Sequence, residues 1–169
     1  YNAYRLGERE ERAGAALALE LRDTNLLANF AEFLLDAGRH GEVVDLLKDE
    51  GRNDVLLLRL ALAERARGLA SARMHEAELK ARFEAARRRG DKLHLQDEAR
   101  FALAFEHRPK EALALALENW DMQQREPGDA RILLESALAA REPAAARPAL
   151  EWMDRTGHEA ALIQQLARQ

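Results

Sequence analysis

The chain has 169 residues, 47% hydrophobic and 33% charged, with a net charge of −4. Those values fit one folded domain with a real core, exclude a disordered chain, and leave little electrostatic pull toward nucleic acid or anionic membranes. The absence of cysteine excludes disulfides, thiol catalysis and thiolate metal sites, while leaving the redox compartment open.

Ala, Leu, Glu and Arg dominate, β-branched residues are scarce and aromatics reach only 5%, so an all-α fold is expected. No apolar run approaches the roughly 18 residues that span a bilayer. No basic start followed by an apolar stretch marks a signal peptide. The chain opens at Tyr1 directly in a helix-like pattern, as an excised domain or a fragment of a longer protein would.

Gly and Pro punctuate the sequence. Helices are expected at about 8–22, 24–37, 41–49, 54–67, 71–89, 93–106, 109–124, 129–141 and 144–156, with a last one from about 159. Gly7, Gly38, Gly41, Gly51, Gly68, Gly90, Gly128 and Gly157 fall mostly between them, and Gly14 sits inside the first. Asp54, Asp91 and Asp129 each precede an apolar periodic run and suit a cap. Pro109 and Pro143 suit a first helical turn, where a missing amide does no harm. Connections are short, so successive helices should pack as antiparallel hairpins in one domain over residues 1–169, about four pairs plus a terminal helix.

A fixed spacing links these helices. Pro109 and Pro143 lie 34 residues apart. The run Glu42–Leu47 (EVVDLL) resembles Glu111–Ala116 (EALALA), 69 residues on, or about two such periods. The stretch 71–89 departs from the pattern by its length.

The segment from Asn25 to Leu47 resembles a tetratricopeptide repeat. Phe30 and Ala31 match the large–small pair of its first helix and Leu34 the next core position. Gly38 matches the turn glycine, Val43 stands where a small residue is usual, and Leu47 fills the later core site. Residues 93–124 and 127–156 are similar, with Ala112 at the small position, and a related α-solenoid with irregular helix lengths would read almost the same. The resemblance implies a right-handed α-solenoid of stacked hairpins, with first helices lining a concave surface that holds a peptide or helix of a protein partner. Carrying the family's positions across places Asn25, Asn29, Glu32 and Asp36 on that surface, followed by Arg59, Leu62, Arg65 and Ala66. Asn29 and Arg59 match positions that hold a terminal carboxylate in chaperone-binding members, but the rest of that clamp is not recognisable.

Chemistry is sparse beside this. Ser71 reads as a helix cap and Ser136 as a small packing residue, and neither stands in a nucleophile motif. No glycine-rich phosphate cradle occurs. His40, His75, His94, His107 and His158 are scattered and read as solvated or turn residues; position 79 is Leu, which breaks H-E-x-x-H after His75. Acidic pairs such as Glu10–Glu11, Glu76/Glu78 and Asp97–Glu98 are interleaved with basic residues, as on ordinary helix surfaces. The basic run Arg87–Arg89, with Lys80, Arg82 and Lys92, reads as a solvated helix end without an aromatic platform for bases. Trp120 and Trp152 are expected to pack between neighbouring pairs, and Phe101 and Phe105 to lie in the core. The expected protein is a non-enzymatic scaffold without cofactor or metal, not a nucleic-acid binder and not inserted in a membrane. The alternative is a structural domain forming a homo-oligomer through its terminal helices, where Leu162, Ile163 and Leu166 form an apolar stripe.

Overall fold

A computed structural model describes residues 23–122 and 125–156, and among these every regular element is helical. The helices expected at 8–22 and from about 159, with the stripe of Leu162, Ile163 and Leu166, lie outside the described residues. The protein divides between Arg82 and Phe83 into two compact units.

In the first unit, α1 runs Thr24–Asp36 because Asp23 caps it: its Oδ1 accepts from the amides of Asn25 at 2.8 Å and Leu26 at 3.0 Å. Leu27, Ala28, Ala31 and Leu34 form its buried stripe. The helix stops at Gly38, whose φ of +70° costs glycine nothing, and the Arg39 amide turns back to the Leu34 carbonyl at 2.9 Å. After this tight reversal α2, His40–Leu47, packs against α1 through Val43 and Leu47. Helix α3, Asp54–Ala66, touches both α1 and α2 and is buried nearly all round, from Leu56 to Glu64. Its cap is Asn53, not the expected Asp54: the Asn53 carboxamide accepts from Val55 at 3.0 Å and Leu56 at 3.2 Å, while Asp54 is the first helical residue.

Helix α4 spans Ser71–Arg88, close to the long stretch expected from the sequence. Its first part runs antiparallel to α3: Glu64 near the end of α3 meets His75, and Asp54 at the start of α3 meets Arg82, both at 2.6 Å. The same glycine-reversal geometry that ends α1 joins the two helices at Gly68, φ +68°, with the Leu69 amide bonded to the Glu64 carbonyl at 2.9 Å.

The second unit takes in the last turn of α4, then α5 (Leu95–Ala104), α6 (Pro109–Met122), α7 (Pro127–Ala139), a 3-10 turn (Pro143–Ala146) and α8 (Arg147–Thr156). Phe83 from α4 meets Phe101 edge-on at 5.5 Å, and Phe101 stacks on Phe105 at 5.2 Å, so both α5 aromatics are core as expected. Helix α6 packs on α5 and α7, α7 also touches α5, and α8 closes on α7. Here α7 repeats the role of α3, buried nearly all round from Asp129 to Ala137. Alanines at 116, 130, 137, 146 and 149 make up much of this core, and their small side chains allow close helix approach.

Two cap assignments from the sequence differ here. Helix α7 begins at Pro127, two residues before Asp129, whose carboxylate reaches back to the Glu126 amide at 2.9 Å and takes the buried Asn119 amide at 2.7 Å. Pro143 opens a 3-10 turn instead of an α-helix, and α8 starts only at Arg147.

Ser136 is fully buried on α7, and its hydroxyl has no hydrogen-bond partner among the described residues. An orphan buried hydroxyl is costly, and Ala is the better helix former. Ser136→Ala should therefore stabilise the protein by about 1 kcal/mol, read as a higher urea midpoint at unchanged slope.

Candidate functional site

The residues assigned from the sequence to a binding surface lie on α1 and α3, two helices in direct contact within the first unit. Their spacing on α1 puts Asn25, Asn29, Glu32 and Asp36 on one stripe, one or two turns apart. Asn25, Asn29 and Asp36 are exposed and Glu32 is half-buried. On α3, Arg65 and Ala66 are exposed and Leu62 is half-buried.

Arg59 behaves differently from its neighbours. It is only 8% exposed. Its Nη1 donates to the Val55 carbonyl one turn back at 2.8 Å, and its Nε lies 3.5 Å from the Glu32 carboxylate. The expectation that Arg59 lies open on the concave surface is therefore corrected. Helix α3 packs on α1 and α2 and meets α4 through Glu64–His75 and Asp54–Arg82, so a side chain at this position has little open surface to reach. Arg59 and Glu32 tie the two helices together, and the exposed polar groups of the stripe flank that tie.

A second polar cluster sits at the α3–α4 turn. The buried Glu64 carboxylate accepts from the Ser71 hydroxyl at 2.8 Å on one oxygen and faces His75 Nδ1 at 2.6 Å on the other. Against an ionised carboxylate the imidazole Nδ1 is the donor. The expected capping role of Ser71 is corrected: it is the first residue of α4, and its hydroxyl satisfies Glu64. His75, expected to be solvated, is half-buried and bonded. The three side chains contain a Ser, a His and a Glu, but the order of contacts is that of a structural clamp. The hydroxyl donates to the carboxylate and not to the imidazole, so the serine–histidine contact of a hydrolytic triad is not formed here.

A third set of charges, built around one buried acid, lies in the second unit. Glu98 on α5 is 2% exposed and lies 3.3 Å from Arg87 Nε, while Arg87 Nη1 donates to Glu111 on α6 at 2.8 Å. Burial raises the Glu98 carboxyl above its ordinary value, with Arg87 and then His94 pulling the other way. The basic run is otherwise matched by acids: Arg82 with Asp54 and Glu78, Arg88 with Glu84, Arg89 with Asp91, and Lys92 with Glu118 at 2.6 Å.

The sequence reading passed over Glu64 and placed Asp97 and Glu98 on a helix surface, although all three are buried, because periodicity marks apolar stripes and these acids stand among charged neighbours. The only available signal was position: each falls in a stretch whose other faces are occupied by Leu, Ala or Phe. Among the described residues no three His, Asp or Glu side chains gather as a metal site, and no helix is long and apolar enough to cross a membrane. Comparison with protein-family models, curated proteins and solved structures finds no match to this chain.

Proposed function

We propose that this protein is a tetratricopeptide-like α-solenoid module that holds a peptide or helix of a protein partner along the exposed stripe of α1 and α3. The observation that carries the reading is the α1–α3 pair itself. Two first helices lie in contact, the intervening α2 packs on both, and Asn25, Asn29, Asp36 and Arg65 remain exposed beside the Glu32–Arg59 tie. The order of contacts recurs in the second unit, where α5 touches α7 and α6 packs on both. Hairpins that bury one face and need neighbours for the rest are the unit of stacked arrays. The positions behind the resemblance are spent on packing: Ala31, Leu34, Val43, Leu47 and Ala112 are buried, and Gly38 forms the turn. On this reading the module is not an enzyme. Its one hydroxyl–carboxylate–imidazole cluster is used to join α3 to α4.

The test is a variant carrying Asn25→Ala, Asn29→Ala and Asp36→Ala, which leaves the buried Arg59 in place. Stability should change by no more than about 0.5 kcal/mol per site, since all three side chains are exposed. A partner captured with the parent protein should bind this variant about tenfold more weakly, by calorimetry or interferometry. Charge reversal at Asp45 on α2 and at Lys48 just after it, both exposed, should leave its affinity unchanged. The opposite pattern, with the α2 variant losing the partner and the stripe variant keeping it, would move the binding surface to the second helices.

A further inference from the structure

The last turn of α4 is fastened in the second unit by two kinds of contact. One is aromatic, Phe83 against Phe101. The other is ionic, with Arg87 spanning Glu98 on α5 and Glu111 on α6. The two acids are not equivalent. Glu111 is a third exposed and hydrogen-bonded to Arg87, and it also meets Arg108 at 3.2 Å. Glu98 is sealed from water, and among the described residues neither of its oxygens accepts a hydrogen bond. Its charge is balanced mainly by the Arg87 guanidinium at 3.3 Å, without the hydrogen bonds that usually compensate a buried carboxylate.

We propose that the Arg87–Glu98 contact is a proton-operated clasp, in which protonation of Glu98 frees Arg87 from α5 and leaves the end of α4 held by Glu111 and Phe83. The groups that face Glu98 come from each side. Arg87 comes from α4, Asp91 and His94 from the connection before α5, and Glu111 from α6. The buried acid of α7, Asp129, is turned instead to Asn119 and the Glu126 amide. Lys92, also in that connection, is engaged by Glu118. Arg87 keeps its charge at every accessible pH, so it opposes the cost of burying the Glu98 charge across the whole range.

The direction follows from linkage. Unfolded, Glu98 titrates near its ordinary 4.5; folded, burial raises it, so the native state holds the proton more tightly. This group contributes stability that is fully present below the unfolded value and lost as pH rises through the raised native one. Acidification therefore opens the clasp while favouring the folded chain, the reverse of ordinary acid unfolding.

The experiment is an NMR titration of the full chain that follows the Glu98 side-chain carboxyl and the Arg87 Nε–H together. Both signals should move with one shared midpoint above 4.5, and amide exchange at the end of α4, corrected for its intrinsic pH dependence, should quicken below that midpoint. Glu98→Gln should hold the Arg87 signal near its low-pH position throughout and remove this component of the stability–pH slope. Glu111→Gln should keep the shared midpoint. The idea fails if Arg87 stays unmoved while Glu98 titrates, or if its shift follows Glu111 and vanishes in Glu111→Gln. Should Glu98→Gln not fold, the parent and Glu111→Gln titrations still decide between these outcomes.

Discussion

Trp120→Ala should cost about 3–5 kcal/mol, the usual penalty for emptying the site of a buried large aromatic. Trp120 is 4% exposed on α6, and its ring meets Trp152 of α8 edge-to-face at 6.0 Å, with the Arg125 guanidinium 5.3 Å from its centroid. Truncation would remove the ring from a core that has many short side chains, among them Ala116, Ala130 and Ala149. Short side chains on rigid helices cannot swing in to fill the space, so the upper part of that range is expected. Trp152, half-buried at the outer side of the pair, should cost less when truncated. A double-mutant cycle should give a coupling of about 0.5–1.5 kcal/mol for the edge-to-face contact. The chain has two tryptophans, both in the second unit, so urea denaturation followed by the fluorescence of the remaining one reads this unit directly. A loss below about 1 kcal/mol would mean that the core closes over the emptied site.

Most of the helices were legible because each is fenced by residues with one physical job. Gly38, Gly68 and Gly90 stand at positive φ where three helices end, a conformation that other residues adopt only with strain. Pro109 opens α6, where its missing amide is no loss. The sequence rules failed where the same job was given to a different residue. Helix α7 ends in the same way as α1, α3 and α4, with the Glu142 amide bonded to the Ala137 carbonyl at 2.8 Å. The residue at positive φ there is Arg141, which carries no turn signal of its own. Asn53 took the cap expected of Asp54, because the choice between adjacent acceptors depends on which one has the extended backbone of a capping residue. Such one-residue decisions belong to backbone geometry, and side-chain type records them only loosely.

The candidate site was legible in part, and the boundary is informative. The α1 stripe could be read because its residues repeat at helical spacing and α1 has one plainly polar face. Helix α3 offered no such face. Leu56, Leu57, Leu58, Leu60, Ala61 and Ala63 surround it with apolar side chains, so periodicity gives no direction for Arg59 or Glu64. Both proved buried, each with a partner far away in sequence or across a turn: Glu32 for Arg59, and Ser71 with His75 for Glu64. A buried charge is placed by its partner, and one sequence does not record which distant residue that is.

That distinction sets up the second large effect, at Arg59. Arg59→Ala should destabilise the first unit by about 2–4 kcal/mol, toward the low end of what breaking a buried ion pair costs because Glu32 keeps some contact with water. The loss has two sources. The Val55 carbonyl gives up a 2.8 Å bond and Glu32 its cation, and the aliphatic stem no longer fills the space between α1 and α3. Arg59→Met separates them, since it keeps most of the stem and removes only the charge; it should recover about half of the loss, and more when Glu32 is also made Gln. The first unit has no tryptophan, so far-UV circular dichroism should show the change while the fluorescence transition of the second unit stays where it was. If Arg59→Ala instead shifts neither signal, the guanidinium is not needed to join α1 to α3. Arg59 would then belong with Asn25, Asn29 and Asp36 among the side chains available to a partner, and the stripe variant that tests binding would have to include it.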